Sequence, residues 1–96
     1  MPKAIWVSCY RAIKNPDALA AYAKLAGPAL EKHGAKFLAR GVPVATHENG
    51  LKQRTVVIEF PSVEQAEIAY KSPEYAQALK ALGDGADRDI RIIEAI

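Results

Sequence analysis

The sequence predicts an α+β sandwich of βαββαβ order, with helices on one face of a four-stranded antiparallel sheet. Three observations carry this reading: the apolar strand Thr55–Phe60, the pair of helix-start signals that follow it, and a strand–helix rhythm shared by the two halves of the chain. Ser62 lies three residues before Gln65, the spacing of a capping box in which the hydroxyl accepts from the Gln65 amide while the Gln65 side chain reaches back. Ser72-Pro73-Glu74 repeats the signal. Ser72 serves as N-cap, Pro73 takes the first helical position where a missing N–H costs nothing, and Glu74 meets the positive end of the helix dipole.

The remaining elements follow in order. Ala4–Tyr10 is almost continuously apolar and rich in aromatic and β-branched residues, a first strand. Asn15 caps the first helix, with Pro16 at N1 and Asp17 in the first turn, and Leu19, Ala23, Ala26 and Leu30 recur at helical spacing. Pro28 predicts a kink within it and Gly34 its end. A second strand starts near Lys36, bends at Gly41-Val42-Pro43 and resumes through His47, where Asn49-Gly50 favours a tight hairpin turn into the third strand. Val63, Ala66 and Tyr70 mark one helix, and Ala76, Leu79 and Leu82 the next. Gly83-Asp84-Gly85 interrupts before a last strand, Asp89–Ala95. The right-handed crossover rule then gives a ferredoxin-like sheet with the first and third strands central.

At 96 residues the chain is expected to form a single domain, 1–96, around one core. Charged residues make up 25% and the net charge is +2, which gives nucleic-acid binding little support. No apolar run is long enough to span a bilayer, and Met1-Pro2-Lys3 leads directly into a strand without the regions of a signal peptide, so the expected location is cytoplasmic with no membrane partner. One cysteine permits no internal disulfide.

Strand parity places Ile5, Val7 and Cys9 toward the helices together with Val56, Ile58, Phe60, Phe37, Ala39, Ile90 and Ile92. The opposite face then carries Trp6, Ser8, Tyr10, Leu38, Arg40, Thr55, Val57, Glu59 and Ile93. That second face is too apolar for water, and the simplest cover is a second copy of the chain.

Phe37-Leu38-Ala39-Arg40-Gly41 after a helix ending in Gly34, the turn Val57-Ile58-Glu59-Phe60-Pro61-Ser62, and Ser72-Pro73-Glu74-Tyr75 resemble the bacterial "domain of unknown function 1330" family. The resemblance runs nearly end to end. It implies a homodimer of the dimeric α/β-barrel type, whose two sheets pack face to face around a cavity as in cofactor-free monooxygenases, and it implies no settled activity.

Chemistry is expected in that cavity, on the open sheet face. Arg40 and Glu59 project from neighbouring strands onto the same face by parity, beside Trp6, Ser8 and Tyr10, and these five residues form the candidate ligand-binding site. A carboxylate beside a guanidinium stays ionised and leaves the arginine free to hold a carboxylate, enolate or phenolate. Three readings stay open for the pair: a ligand site, a weak Glu59 base with Arg40 in a cofactor-free monooxygenase or isomerase, and a structural ion pair in a dimer without ligand. Trp6 and Tyr10 are suited to stack on a planar ligand or to fill a core. Ser8 lacks a nucleophile elbow, His47 near the hairpin tip is read as surface, and His33 fits its helix C-terminus. Cys9 is read as an inert core thiol. Two separated histidines and one cysteine lack zinc-ligand spacing, and Asp84, Asp87 and Asp89 lack the order of a calcium loop, so neither metal nor cofactor is expected.

The same element order also serves RNA-recognition domains, whose third strand carries aromatics for stacking bases. Thr55, Val57 and Glu59 stand there instead, and Glu59 repels phosphate. The leading expectation is a homodimer that holds a small organic or anionic ligand.

Overall fold

The computed structural model describes residues 2–96. Its elements run β1 (Ala4–Ile13), α1 (Pro16–Lys32), β2 (Lys36–Gly41), β3 (Thr55–Phe60), α2 (Val63–Tyr70), α3 (Pro73–Leu82) and β4 (Ala86–Glu94). The four strands form one sheet in the order β2-β3-β1-β4 with every neighbouring pair antiparallel, the ferredoxin-like arrangement with β1 and β3 central. Helices cover one face. The Cα envelope measures 35 × 32 × 16 Å, two layers thick, so the other sheet face lies bare.

The three N-caps form where the sequence places them, although the capping box at Ser62 is only half made, without a return bond from the Gln65 side chain among the described residues. Asn15 accepts from the amides of Asp17 and Ala18 at 3.1 Å each, Ser62 accepts from Gln65 N at 3.0 Å, and Ser72 accepts from Tyr75 N at 3.2 Å. The Ser72 hydroxyl also donates to Ala69 O at 2.8 Å, which ties the end of α2 to the start of α3. Gly34 closes α1 at φ 94°, and a Cβ there would stand 3.2 Å from the Pro61 ring. Helix α1 runs unbroken through Pro28.

Two local expectations fail. Strand β2 ends at Gly41 and does not resume, so residues 42–54 form a long connection in which Gly50 N donates to His47 O at 3.0 Å and the Asn49-Gly50 turn stands clear of the sheet. Pro43 has no N–H for the ladder, which explains why pairing stops there. Strand β4 begins at Ala86, earlier than its apolar run, because β1 extends to Ile13 past a bulge between Tyr10 and Ala12 and pairs with it.

The larger correction concerns which face of β1 meets the helices. Trp6 lies opposite Ile58 and Ile92, Ser8 opposite Val56 and Ile90, and Trp6, Ser8 and Tyr10 are buried under the helices. Ile5, Val7 and Cys9 point to the bare face, and Cys9 is exposed where a core thiol was expected. Because β1 is apolar on both sides, alternation alone carries no sign; the strand turns so that its largest side chain is fully enclosed. Trp6 sits 5.7 Å from the rings of Phe60, Tyr70 and Tyr75, edge-on to Tyr75 at 87°. In β2 a bulge between Phe37 and Ala39 makes Leu38 an extra residue. Phe37 opposes Ile58, Ala39 opposes Val57, and Arg40 opposes Val56 on the helix side.

Helix α1 meets α3 through tyrosines and an ion-pair cluster. Glu74 accepts from Lys32 Nζ at 3.0 Å and lies 3.1 Å from His33 Nε2, bonds that hold its carboxyl at about 2, below the 4.5 usual for glutamate. A depressed carboxyl stabilises the fold above the unfolded value and loses that contribution as pH falls through the folded one. Glu74→Gln is therefore expected to lower the urea midpoint at neutral pH, with the difference from the parent protein shrinking between pH 4.5 and about 2; a constant offset across that window would contradict this pinning role.

Two glycines are expected to respond oppositely to alanine. A Cβ on Gly27 in α1 meets nothing within 4 Å, so Gly27→Ala should raise unfolding free energy by about 0.5–1 kcal/mol. Gly85, whose carbonyl accepts from Lys14 N and Asn15 N, would bring a Cβ to 2.9 Å from both Ala18 Cβ and Leu82 O. Gly85→Ala should destabilise by about 1–3 kcal/mol, and equal behaviour of the two variants in denaturant titrations would refute the packing at this junction.

Candidate functional site

A cleft opens between the helix-facing side of the sheet and α1, where the helix presents Ala23, Ala26 and Gly27. These small side chains leave a space that larger ones would fill. The cleft has an empty volume of about 390 Å³ including its open mouth, within which the space for centres of water-sized molecules is about 30 Å³. In this state its interior accommodates about one or two waters, so an organic occupant must shift the side chains at its mouth.

The floor comes from the central strands. Trp6, Ser8 and Tyr10 alternate along β1 onto this side, joined by Val56 and Ile58 of β3. Ser8 is 3% exposed and its Oγ has no hydrogen-bond partner, although an unsatisfied buried hydroxyl costs about 1–3 kcal/mol. Arg54 lies just before β3, where its carbonyl accepts from Tyr10 N at 2.9 Å. Its Nε is likewise buried and without a partner. Arg40 is exposed at the rim, its guanidinium 5.2 Å from the centre of the Phe37 ring.

Behind this wall runs a polar chain. Arg88 Nη1 donates to the Tyr22 hydroxyl at 2.9 Å, and the hydroxyls of Tyr22 and Tyr75 lie 2.7 Å apart. Burial, and then the neighbouring Tyr22, push the Tyr75 phenol far above its ordinary range, so it stays protonated at neutral pH. Arg88 also lies over the Tyr22 ring at 4.8 Å and the Tyr10 ring at 5.7 Å, while Arg54 lies 5.9 Å from the Tyr10 centroid.

Four of the five residues expected at the site, Trp6, Ser8, Tyr10 and Arg40, line this cleft, on the face opposite to the one parity predicted. Glu59 does not. It pairs with Ile5 and Lys36 on the bare side and meets Lys3 Nζ at 3.4 Å. The Arg40–Glu59 pair is thus absent, because the Leu38 bulge sends Arg40 through to the helix side while Glu59 keeps the parity of β3. His47 is exposed in the 42–54 connection, and His33 pairs with Glu74 as a helix-terminal group. Asp89 is engaged by Arg91 at 3.0 Å and Arg11 at 3.5 Å. Sequence reasoning missed Arg54, Arg88, Tyr22 and Tyr75. The spacing of Ala23, Ala26 and Gly27 was the available signal, since a helix stripe of small residues leaves room above a sheet.

The fold is shared with several solved proteins. A protein of unknown function from Rhodopseudomonas palustris superposes with a TM-score of 0.76 at 20% identity, over 99% of this chain and 83% of its own. SnoaB, a cofactor-independent oxygenase from Streptomyces nogalater, gives 0.68 at 11% identity over 100% and 95%. A dimeric ferredoxin-like protein of unknown function from Thermobifida fusca gives 0.69 at 15% over 98% and 92%. At these identities the likeness concerns the fold. Among functionally curated proteins none matches significantly. The profile described as "Domain of unknown function (DUF1330)" matches residues 3–96, nearly the whole sequence, and the chain belongs to that family.

Proposed function

We propose that this protein is a homodimer that binds a small organic molecule in the cleft beneath α1. The observation that carries the binding reading is the cleft's composition: apolar and aromatic walls with a few polar atoms, among them the partnerless Ser8 Oγ, which is the usual make-up of a ligand pocket. The closed interior holds about one or two waters, so a small molecule that enters by displacing the side chains at the mouth fits better than a larger one.

Dimerisation would use the bare sheet face. Ile5, Val7 and Val57 are half-buried at its centre, flanked by Leu38 at 49% and Ile93 at 61% exposure, an apolar surface of the kind that marks an interface. The dimeric Thermobifida protein of the same fold supports this assignment. A face-to-face dimer leaves the cleft, on the other side of the sheet, open to ligand.

A second reading, a cofactor-free enzyme, draws support from the fold shared with SnoaB. The cleft favours binding over catalysis, since no carboxylate or imidazole is among its lining residues and Glu59 is on the wrong side to act as a base with Arg40.

Native mass spectrometry of the protein as isolated is expected to show a dimer carrying a small-molecule adduct, and Ala26→Leu, which fills the cleft, should remove the adduct while leaving the dimer. Val57→Glu should give the converse, a monomer by light scattering that keeps its fold. A dimer that survives Val57→Glu, or an adduct that survives Ala26→Leu, would overturn the respective assignment.

A further inference from the structure

We infer that the cleft is built for an anion, specifically a planar aromatic acid or phenolate whose charge lies against Arg54 and Arg40 while its ring packs among Trp6 and Tyr10. The inference rests on the binding reading above and adds the charge and shape of the ligand.

The argument begins with unpaired cations. Among the described residues every salt-bridged arginine lies on the bare side or the sheet rim, where Arg11 and Arg91 share Asp89. Arg40, Arg54 and Arg88 have no carboxylate partner, and all three lie on or directly behind the cleft wall. Two of them approach one phenol ring, Tyr10, with guanidinium carbons 5.9 Å and 5.7 Å from its centroid. Partial burial denies these guanidiniums full hydration, and no carboxylate among the described residues offsets their charge. A net charge of only +2 on the whole chain makes the local excess a matter of placement.

The second observation is the pair of unsatisfied donors. Arg54 Nε is a pure donor and Ser8 carries a hydroxyl that can donate; both atoms are buried and idle. An oxyanion accepts from both and neutralises the neighbouring charge at once, whereas a neutral ring does neither. A planar guanidinium also suits the two oxygens of a carboxylate. The rings of Trp6 and Tyr10 with the flat stripe Ala23, Ala26 and Gly27 on the opposite wall set the shape of the rest of the ligand.

The test is calorimetric titration of the full-length protein with 2-naphthoate and its neutral isostere 2-naphthamide. The acid is expected to bind at least about tenfold tighter than the amide, because charge-assisted bonds exceed neutral ones by that order. Arg54→Gln should bring the two affinities within about threefold, with most of the loss on the acid. Should Arg54→Gln fail to fold, Arg40→Gln at an exposed side chain and the near-isosteric Ser8→Ala carry the same comparison. Equal binding of acid and amide by the parent protein would overturn the anion inference and leave the cleft-binding reading standing. Naphthoate binding that persists unchanged in Ala26→Leu would locate the anion elsewhere and overturn the inference together with that reading.

Discussion

The enclosure of Trp6 is the constraint on which the rest of the structure depends. An indole on a central strand has two faces to choose between, and only the helix side offers Phe60, Tyr70 and Tyr75 at 5.7 Å to surround it. Complete burial of such a side chain is worth several kcal/mol, more than the smaller apolar residues Ile5 and Val7 gain by taking its place. Once Trp6 turns inward, period two carries Ser8 and Tyr10 with it. A hydroxyl is thereby placed in an apolar layer and a phenol against two guanidiniums, and together they form the floor of the cleft.

That floor needs a roof that does not collapse onto it. Helix α1 is anchored at both ends, by the Asn15 cap with the Gly85 carbonyl and by the Lys32, His33 and Glu74 cluster, and Tyr22 is tied to Tyr75 through their hydroxyls. Between Tyr22 and Leu30, which pack into the core, the helix turns Ala23, Ala26 and Gly27 toward the cleft. Close packing and open volume thus occupy different parts of one layer: aromatic rings under α2 and α3, and the cleft under α1.

The chain's punctuation was legible and its facing was not. Asn15, Ser62, Ser72, Pro16, Pro73 and Gly34 act through backbone groups a few residues away, so their meaning is local and survives any tertiary arrangement. Which side of β1 meets the helices is a contest between Trp6 with Tyr10 and Ile5 with Val7, decided by partners more than fifty positions downstream such as Phe60 and Tyr75. The Leu38 bulge is similarly silent, since Phe37-Leu38-Ala39-Arg40 reads as regular alternation until β3 supplies a register. Trp6, Ser8, Tyr10 and Arg40 therefore do come together, but on the side opposite to the one that alternation suggests. Arg54 and Arg88 gave no signal because their meaning lies in the Tyr10 ring they both approach.

The bulge also changes what kind of genetic event can retune this molecule. In an uninterrupted strand a side chain is moved to the other surface only by rewriting the sequence position by position, but here one surplus residue sets the phase of everything after it. Loss of the Leu38 codon would restore regular alternation with Phe37 still opposite Ile58 and Arg40 still opposite Val56. Gain of one codon between Ala39 and Arg40 would instead move the rim cation one place along the ladder and carry it to the sheet's other surface, altering the polarity of the cleft mouth and of the opposite apolar face in one step.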